Sequence, residues 1–66
     1  MTKSEAIDAL KSGYKIVHPY FRNSEHIYME DGMLFSQNNN AFSLLNEFFD
    51  ERPGDDWDQD WTILYK

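Results

Sequence analysis

A chain of 66 residues with no cysteine and a net charge of −6 is limited to one small domain, spanning residues 1–66, with no disulfide or thiolate metal site to brace it. Its six lysines and arginines are scattered and do not supply the clustered positive charge that binding to a nucleic-acid backbone needs. No apolar run approaches the roughly 18–20 residues of a membrane span.

Five Phe, four Tyr and two Trp make up 17% of the chain. So large an apolar area on so few residues points to dense aromatic packing, part of it between subunits of a homo-oligomer. The first ten residues carry acids where a secretory signal would carry its apolar stretch, so a cytoplasmic protein is expected.

In chain order, Thr2 and Glu5 have the spacing of a capping box. Ala6, Ile7 and Leu10 follow at helical intervals and Gly13 suits the stop, which predicts a helix over 3–11. The β-branched middle of Tyr14–His18 predicts a strand ending at Pro19. Residues 19–25 read as a loop with two aromatics.

Asp31-Gly32 between two apolar runs is a hairpin signal, predicting strands over 26–30 and 33–36. Gln37–Asn40 reads as a polar loop whose last residue could cap a second helix over 41–49, with Phe42, Leu45, Phe48 and Phe49 on one face. Pro53 and Gly54 break it. Trp61, Ile63 and Tyr65 alternate with Thr62 and Leu64 as a final strand. The order α-β-β-β-α-β implies an α+β domain, a small antiparallel sheet with two helices packed on it.

Charge is uneven: residues 45–66 hold seven acids against two bases. Asp56, Asp58 and Asp60 have the alternating spacing that opens a calcium loop. The sixth loop position would be Trp61 rather than Gly, and the twelfth falls beyond Lys66, so a solvated acidic loop is the expectation and no metal or other cofactor is assigned.

His18 and His26 are the only histidines, and a histidine at a strand end is expected to be a structural hydrogen-bonder. The serines lie in no nucleophile motif and the three glycines are isolated, so no catalytic residues are assigned and an enzyme is not expected.

Two constellations remain. Tyr20, Phe21 and Arg22 follow a strand end, and aromatics beside an arginine can stack a base and pair a phosphate. With His18 as a hydrogen-bond donor and Trp57 as a further ring, they form a candidate ligand site. Asp55, Asp56, Asp58 and Asp60, with Trp57 as anchor, could instead imitate a phosphate backbone and dock on a basic protein surface. The bland alternatives are core aromatics and a solubilising charge run.

The opening SEAIDALKSGYKIVHPYF resembles that of small phage proteins in which a helix with Glu-Ala, Leu-Lys and a Gly stop leads into a strand beginning with Lys and Val or Ile. The closing DWTIL resembles their terminal strand. These are the Thoeris anti-defence domain proteins, formerly a phage domain of unknown function. The resemblance covers residues 4–21 and 60–64. Where that family tends to continue with Arg and then Trp, this chain has His18 and then Tyr20-Phe21. Its middle is also shorter, and the acidic segment has no counterpart.

The resemblance implies a phage protein acting in the host cytoplasm during infection. Its role would be to bind and sequester a small nucleotide immune signal, of the cyclic ADP-ribose type, in pockets between subunits without turnover. The alternative is an inhibitor of a host defence nuclease or DNA-binding protein, since other relatives are linked to inhibition of CRISPR nucleases.

Overall fold

The computed structural model describes residues 1–64. Helix α1 (Lys3–Lys11) packs near β1 (Ile16–Val17), and a long loop leads to β2 (Ile27–Glu30), β3 (Met33–Ser36) and β4 (Ala41–Leu44). Helix α2 (Leu45–Asp50), a 3₁₀ turn (Asp55–Trp57) and β5 (Thr62–Ile63) complete the chain. The strands form one antiparallel sheet in the order β4-β3-β2-β1-β5. Among the described residues no helix is long and apolar enough to cross a membrane.

Local chemistry sets the boundaries. The Glu5 N–H donates to Thr2 Oγ1 at 3.2 Å and Thr2 N–H to Glu5 Oε1 at 2.9 Å, so both halves of the capping box are made. At the other end Gly13 takes a φ of +93°. Gly13 and Tyr14 return their N–H groups to the carbonyls of Leu10 and Ala9, a Schellman stop that satisfies otherwise orphaned carbonyls. Asp31 and Gly32 both have positive φ, as a type I′ hairpin turn requires.

One face of the sheet carries the core. Ile16, Ile27, Leu34 and Trp61 pack with Ala6, Ala9 and Leu10 of α1 and with Phe48 and Phe49 of α2. Trp61 is 1% exposed. Full burial of such side chains contributes about 1.5–3 kcal/mol each relative to exposure.

The α+β class is as the sequence predicts, with one strand more. Residues 41–44 are β4 and not the first turn of the second helix. Ser36 N–H donates to the Asn40 carbonyl at 3.0 Å, and Asn39 sits at φ +66°. The polar loop is therefore a second hairpin turn, and Asn40 caps nothing.

Helix α2 begins only at Leu45, without a side-chain cap; Leu45 N–H reaches the Gly32 carbonyl instead. A register shift between Leu34 and Phe35 leaves Phe42 without a cross-strand partner, and its ring packs edge-on against Phe48 at 5.8 Å. Phe42 thus meets the partner that helical spacing assigned to it, but from a strand. The strand predicted over 14–18 is confined to Ile16–Val17, because the Tyr14 N–H is taken by the helix stop at the Ala9 carbonyl and the His18 carbonyl by the turn that follows, where Phe21 N–H donates to it. Of the predicted final strand, Tyr65 lies outside the described residues.

Candidate functional site: an aromatic cluster between a cleft and an acidic face

His18 follows the last residue of β1 and is 5% exposed. Its ring is the hub of an aromatic cluster, 4.5 Å from Trp57, 4.7 Å from Trp61, 5.1 Å from Tyr20 and 6.2 Å from Phe21. Nδ1 faces the Tyr20 N–H at 3.2 Å and therefore accepts. The ring proton then belongs on Nε2, which donates to the carbonyls of Asp56 at 3.1 Å and Gln59 at 3.0 Å. Both nitrogens are thus committed to backbone. His18 is the structural hydrogen-bonder that its position suggests, and the geometry leaves it no donor for a ligand.

The same contacts fasten the acidic segment. Trp61 Nε1–H donates to the Trp57 carbonyl at 2.8 Å, Lys3 N–H to the Asp58 carbonyl at 2.9 Å, and Lys3 Nζ lies 3.4 Å from Asp58 Oδ1. The segment is held by its carbonyls, while the side chains of Asp55, Asp56, Asp58 and Asp60 are exposed. Trp57 is half-buried against its own chain, so its ring is not the projecting anchor of that face. The exposed aromatic there is Tyr20, at 60% exposure. The negative charge of Asp56 beside its hydroxyl pushes the Tyr20 phenol above its ordinary range.

The cluster divides the candidate residues. His18, Phe21 and Arg22 line a cleft of about 340 Å³ whose walls include Val17, Glu25 and Leu64. Tyr20 and Trp57 lie instead with the acidic segment, and no aspartate lines the cleft. Arg22 is exposed. Its own N–H is bound by Glu25 Oε1 at 2.7 Å, which holds the loop closed. Among the described residues the one ion pair is Lys3–Asp58; the Arg22 guanidinium makes none, and the nearby Glu25 carboxylate, which also lines the cleft, is engaged by the Arg22 backbone N–H. Among the described residues no group of three His, Asp or Glu side chains is placed to hold a metal ion.

Arg52 carries no motif, and its role is only faintly legible in the sequence. Its guanidinium carbon lies 3.8 Å from the Phe48 ring centre and 5.3 Å from that of Trp57, and Nη1 donates to the Phe48 carbonyl at 3.0 Å. The available signal is the spacing Phe48-x-x-x-Arg52, which brings the two onto one side of a helix end.

Comparison of the chain with protein-family models, with curated proteins and with solved structures finds no match.

Proposed function

We propose that the protein binds and holds a small anionic ligand of the nucleotide class in the cleft beside Arg22. The observation that carries this reading is the coincidence, in one concavity, of the exposed Arg22 side chain, which makes no ion pair among the described residues, the Phe21 ring, and apolar walls from Val17 and Leu64; the one carboxylate in the lining, Glu25, is turned to the Arg22 backbone N–H. A volume of about 340 Å³ is within the roughly 300–1,000 Å³ of small-molecule sites. Arg22 would pair a phosphate and Phe21 would face a base or sugar. His18 would support the wall rather than touch the ligand.

Holding without turnover is consistent with His18 being committed to backbone on both nitrogens. It is also the role that the resemblance to anti-defence proteins implies, namely sequestration of an immune signal. Native mass spectrometry of the full chain with cyclic ADP-ribose isomers, cyclic dinucleotides and mononucleotides tests it. One compound should be retained intact, and Arg22→Ala should abolish that retention. Equal retention by Arg22→Ala would remove Arg22 from the site, and retention of none would remove the reading.

A second reading is favoured by the acidic segment. Four exposed aspartates on a backbone fixed by His18 and Trp61, with exposed Tyr20 beside them, form a preorganised negative surface suited to docking on a basic host protein. Such binding should weaken steeply with salt and be lost when Asp55, Asp56, Asp58 and Asp60 become Asn. A complex indifferent to both would exclude it.

A further inference from the structure

The sheet carries its helices on one side. Cross-strand register places Tyr28, Glu30, Met33, Phe35, Ala41 and Leu44 on the other: Tyr28 opposes Phe35, Glu30 opposes Met33, Met33 opposes Leu44 and Phe35 opposes Ala41. None of the six belongs to the core cluster. The Tyr28 and Phe35 rings stack across the strands at 5.4 Å and 13°, and Leu44 is 48% exposed. Strand β3 is thus apolar on this face at Met33 and Phe35 as well as on the core face at Leu34, and Tyr28 of β2 and Leu44 of β4 extend its outer apolar surface, the pattern of strands that are covered on both sides. Among the described residues no helix covers this side: Tyr28, Met33 and Phe35 are half-buried, and Ala41 and Leu44 are exposed.

Charge selects what can cover it. Of the twelve acidic residues, all but half-buried Glu25 are exposed, so two copies of this chain repel over most of their surfaces. Residues 33–46 contain no ionisable side chain, and they supply β3, β4 and the turn between them. Glu30 is the one charge on the face and sits at its hairpin rim. A basic protein would be drawn to the acidic segment instead, and a membrane surface favours faces bordered by Lys and Arg. The neutral apolar surface that matches this face is the same face on another molecule.

We propose that the outer face of β2–β4 is a self-association surface, on which a second copy packs sheet to sheet about a two-fold axis. The inference does not depend on what the cleft holds. Three strands of four residues each, spaced about 4.8 Å apart, form a patch below the standard interface of roughly 800 Å² per partner. The association is therefore weak and concentration-dependent. It is strengthened by salt, because screening relieves the repulsion between the two acidic bodies.

Sedimentation velocity on the full chain over a broad concentration range tests this. The mass should rise from 7.9 kDa toward twice that value, at lower concentration in high salt. Leu44→Glu, at an exposed position and with its fold checked by circular dichroism, should weaken the dimer about tenfold or more. Met33→Glu should do the same. Tyr14→Glu, equally exposed at 48% but off the sheet face, should leave it unchanged.

In a mixture of labelled and unlabelled chains, intermolecular NOEs should join the Tyr28 and Phe35 rings to Met33 and Leu44 methyls. A wild-type chain that stays monomeric at every concentration overturns the proposal. So does a dimer undiminished by both face variants, or one weakened equally by Tyr14→Glu.

Discussion

The His18 imidazole lies 4.5 Å from the Trp57 indole and donates to the carbonyl of Asp56, the residue just before it. A ring at the end of a two-residue strand thereby holds down a segment that begins more than thirty positions later. His18→Phe would keep the aromatic contacts and remove every hydrogen bond. It would leave the Asp56 and Gln59 carbonyls without this donor and the Tyr20 amide without its acceptor. A loss of about 1–3 kcal/mol in urea unfolding is expected, with faster amide exchange at Trp57 and Asp58. A stability within a few tenths of wild type would show that the ring matters only as an aromatic. Nitrogen-detected NMR of the native protein should find the Nε2-protonated tautomer.

The Arg52 guanidinium lies over the Phe48 ring and beside that of Trp57, while among the described residues its buried Nε finds no acceptor. Packing over the Phe48 ring and the Nη1 hydrogen bond to the Phe48 carbonyl, rather than charge pairing, account for its place. Arg52→Ala should cost about 1–2 kcal/mol, through lost cation–π attraction and lost side-chain packing. Arg52→Met should recover part of this, since it refills the space and removes the unsatisfied N–H. Arg52→Lys should fall short, because an ammonium cannot stack as a plane. Thermal unfolding of the three variants ranks them, and a lysine variant as stable as wild type would refute the stacking account.

Tyr20 should titrate above an ordinary tyrosine because Asp56 disfavours the phenolate. Asp56→Asn should bring its titration down toward the usual range, as should high salt, and phenolate absorbance reads both. The sign for folding follows. A raised folded value means that the native chain holds the proton longer. The contribution is complete below the unfolded tyrosine value and is lost as pH rises through the folded one. A Tyr20 titration unmoved by Asp56→Asn would place the hydroxyl away from that carboxylate.

Glu5 has its titration lowered chiefly by the hydrogen bond from the Thr2 backbone N–H. Its contribution is present above the unfolded glutamate value and lost as pH falls through the lowered folded one. Thr2→Ala removes the acceptor for the Glu5 amide and should cost about 1 kcal/mol. Carbon-detected titration should find Glu5 below an ordinary glutamate in the wild type and lowered less in Thr2→Ala, which keeps the backbone N–H at position 2 and loses the threonine hydroxyl. A Glu5 that titrates as an ordinary glutamate in the wild type, with Thr2→Ala as stable as wild type, would show that the box contributes nothing.

The first helix and the β2–β3 hairpin were legible because each is written in local chemistry: a cap, a stop, and a two-residue turn with left-handed residues. Residues 41–44 form a strand although Phe42, Leu45 and Phe48 keep a helical period. What decides their state is a ladder to β3 and a left-handed Asn39, and neither leaves a periodic mark. The candidate site was half legible. Tyr20, Phe21, Arg22 and Trp57 were identifiable as a group of chemistry-bearing residues. That a buried His18 would stand between them, sending Phe21 and Arg22 to a cleft and Tyr20 and Trp57 to an acidic face, depends on pairings across some forty residues of sequence. Arg52 is only faintly legible: its spacing from Phe48 is a local signal, but the approach of Trp57 depends on how the 3₁₀ turn folds back over the end of α2.

The acidic segment is gripped through its carbonyls, by His18, Trp61 and Lys3, and hardly at all through its carboxylates. Fixtures and working surface are therefore separate parts. Every residue type but proline offers the same backbone donors and acceptors, so side chains at 55, 56 and 59 can be exchanged while the frame that displays them persists. Position 60, in a left-handed conformation, is narrower and favours Asp, Asn or Gly. A lineage under pressure to change what it contacts could rewrite that surface residue by residue without re-solving the fold, and a protein engineer could graft onto it for the same reason.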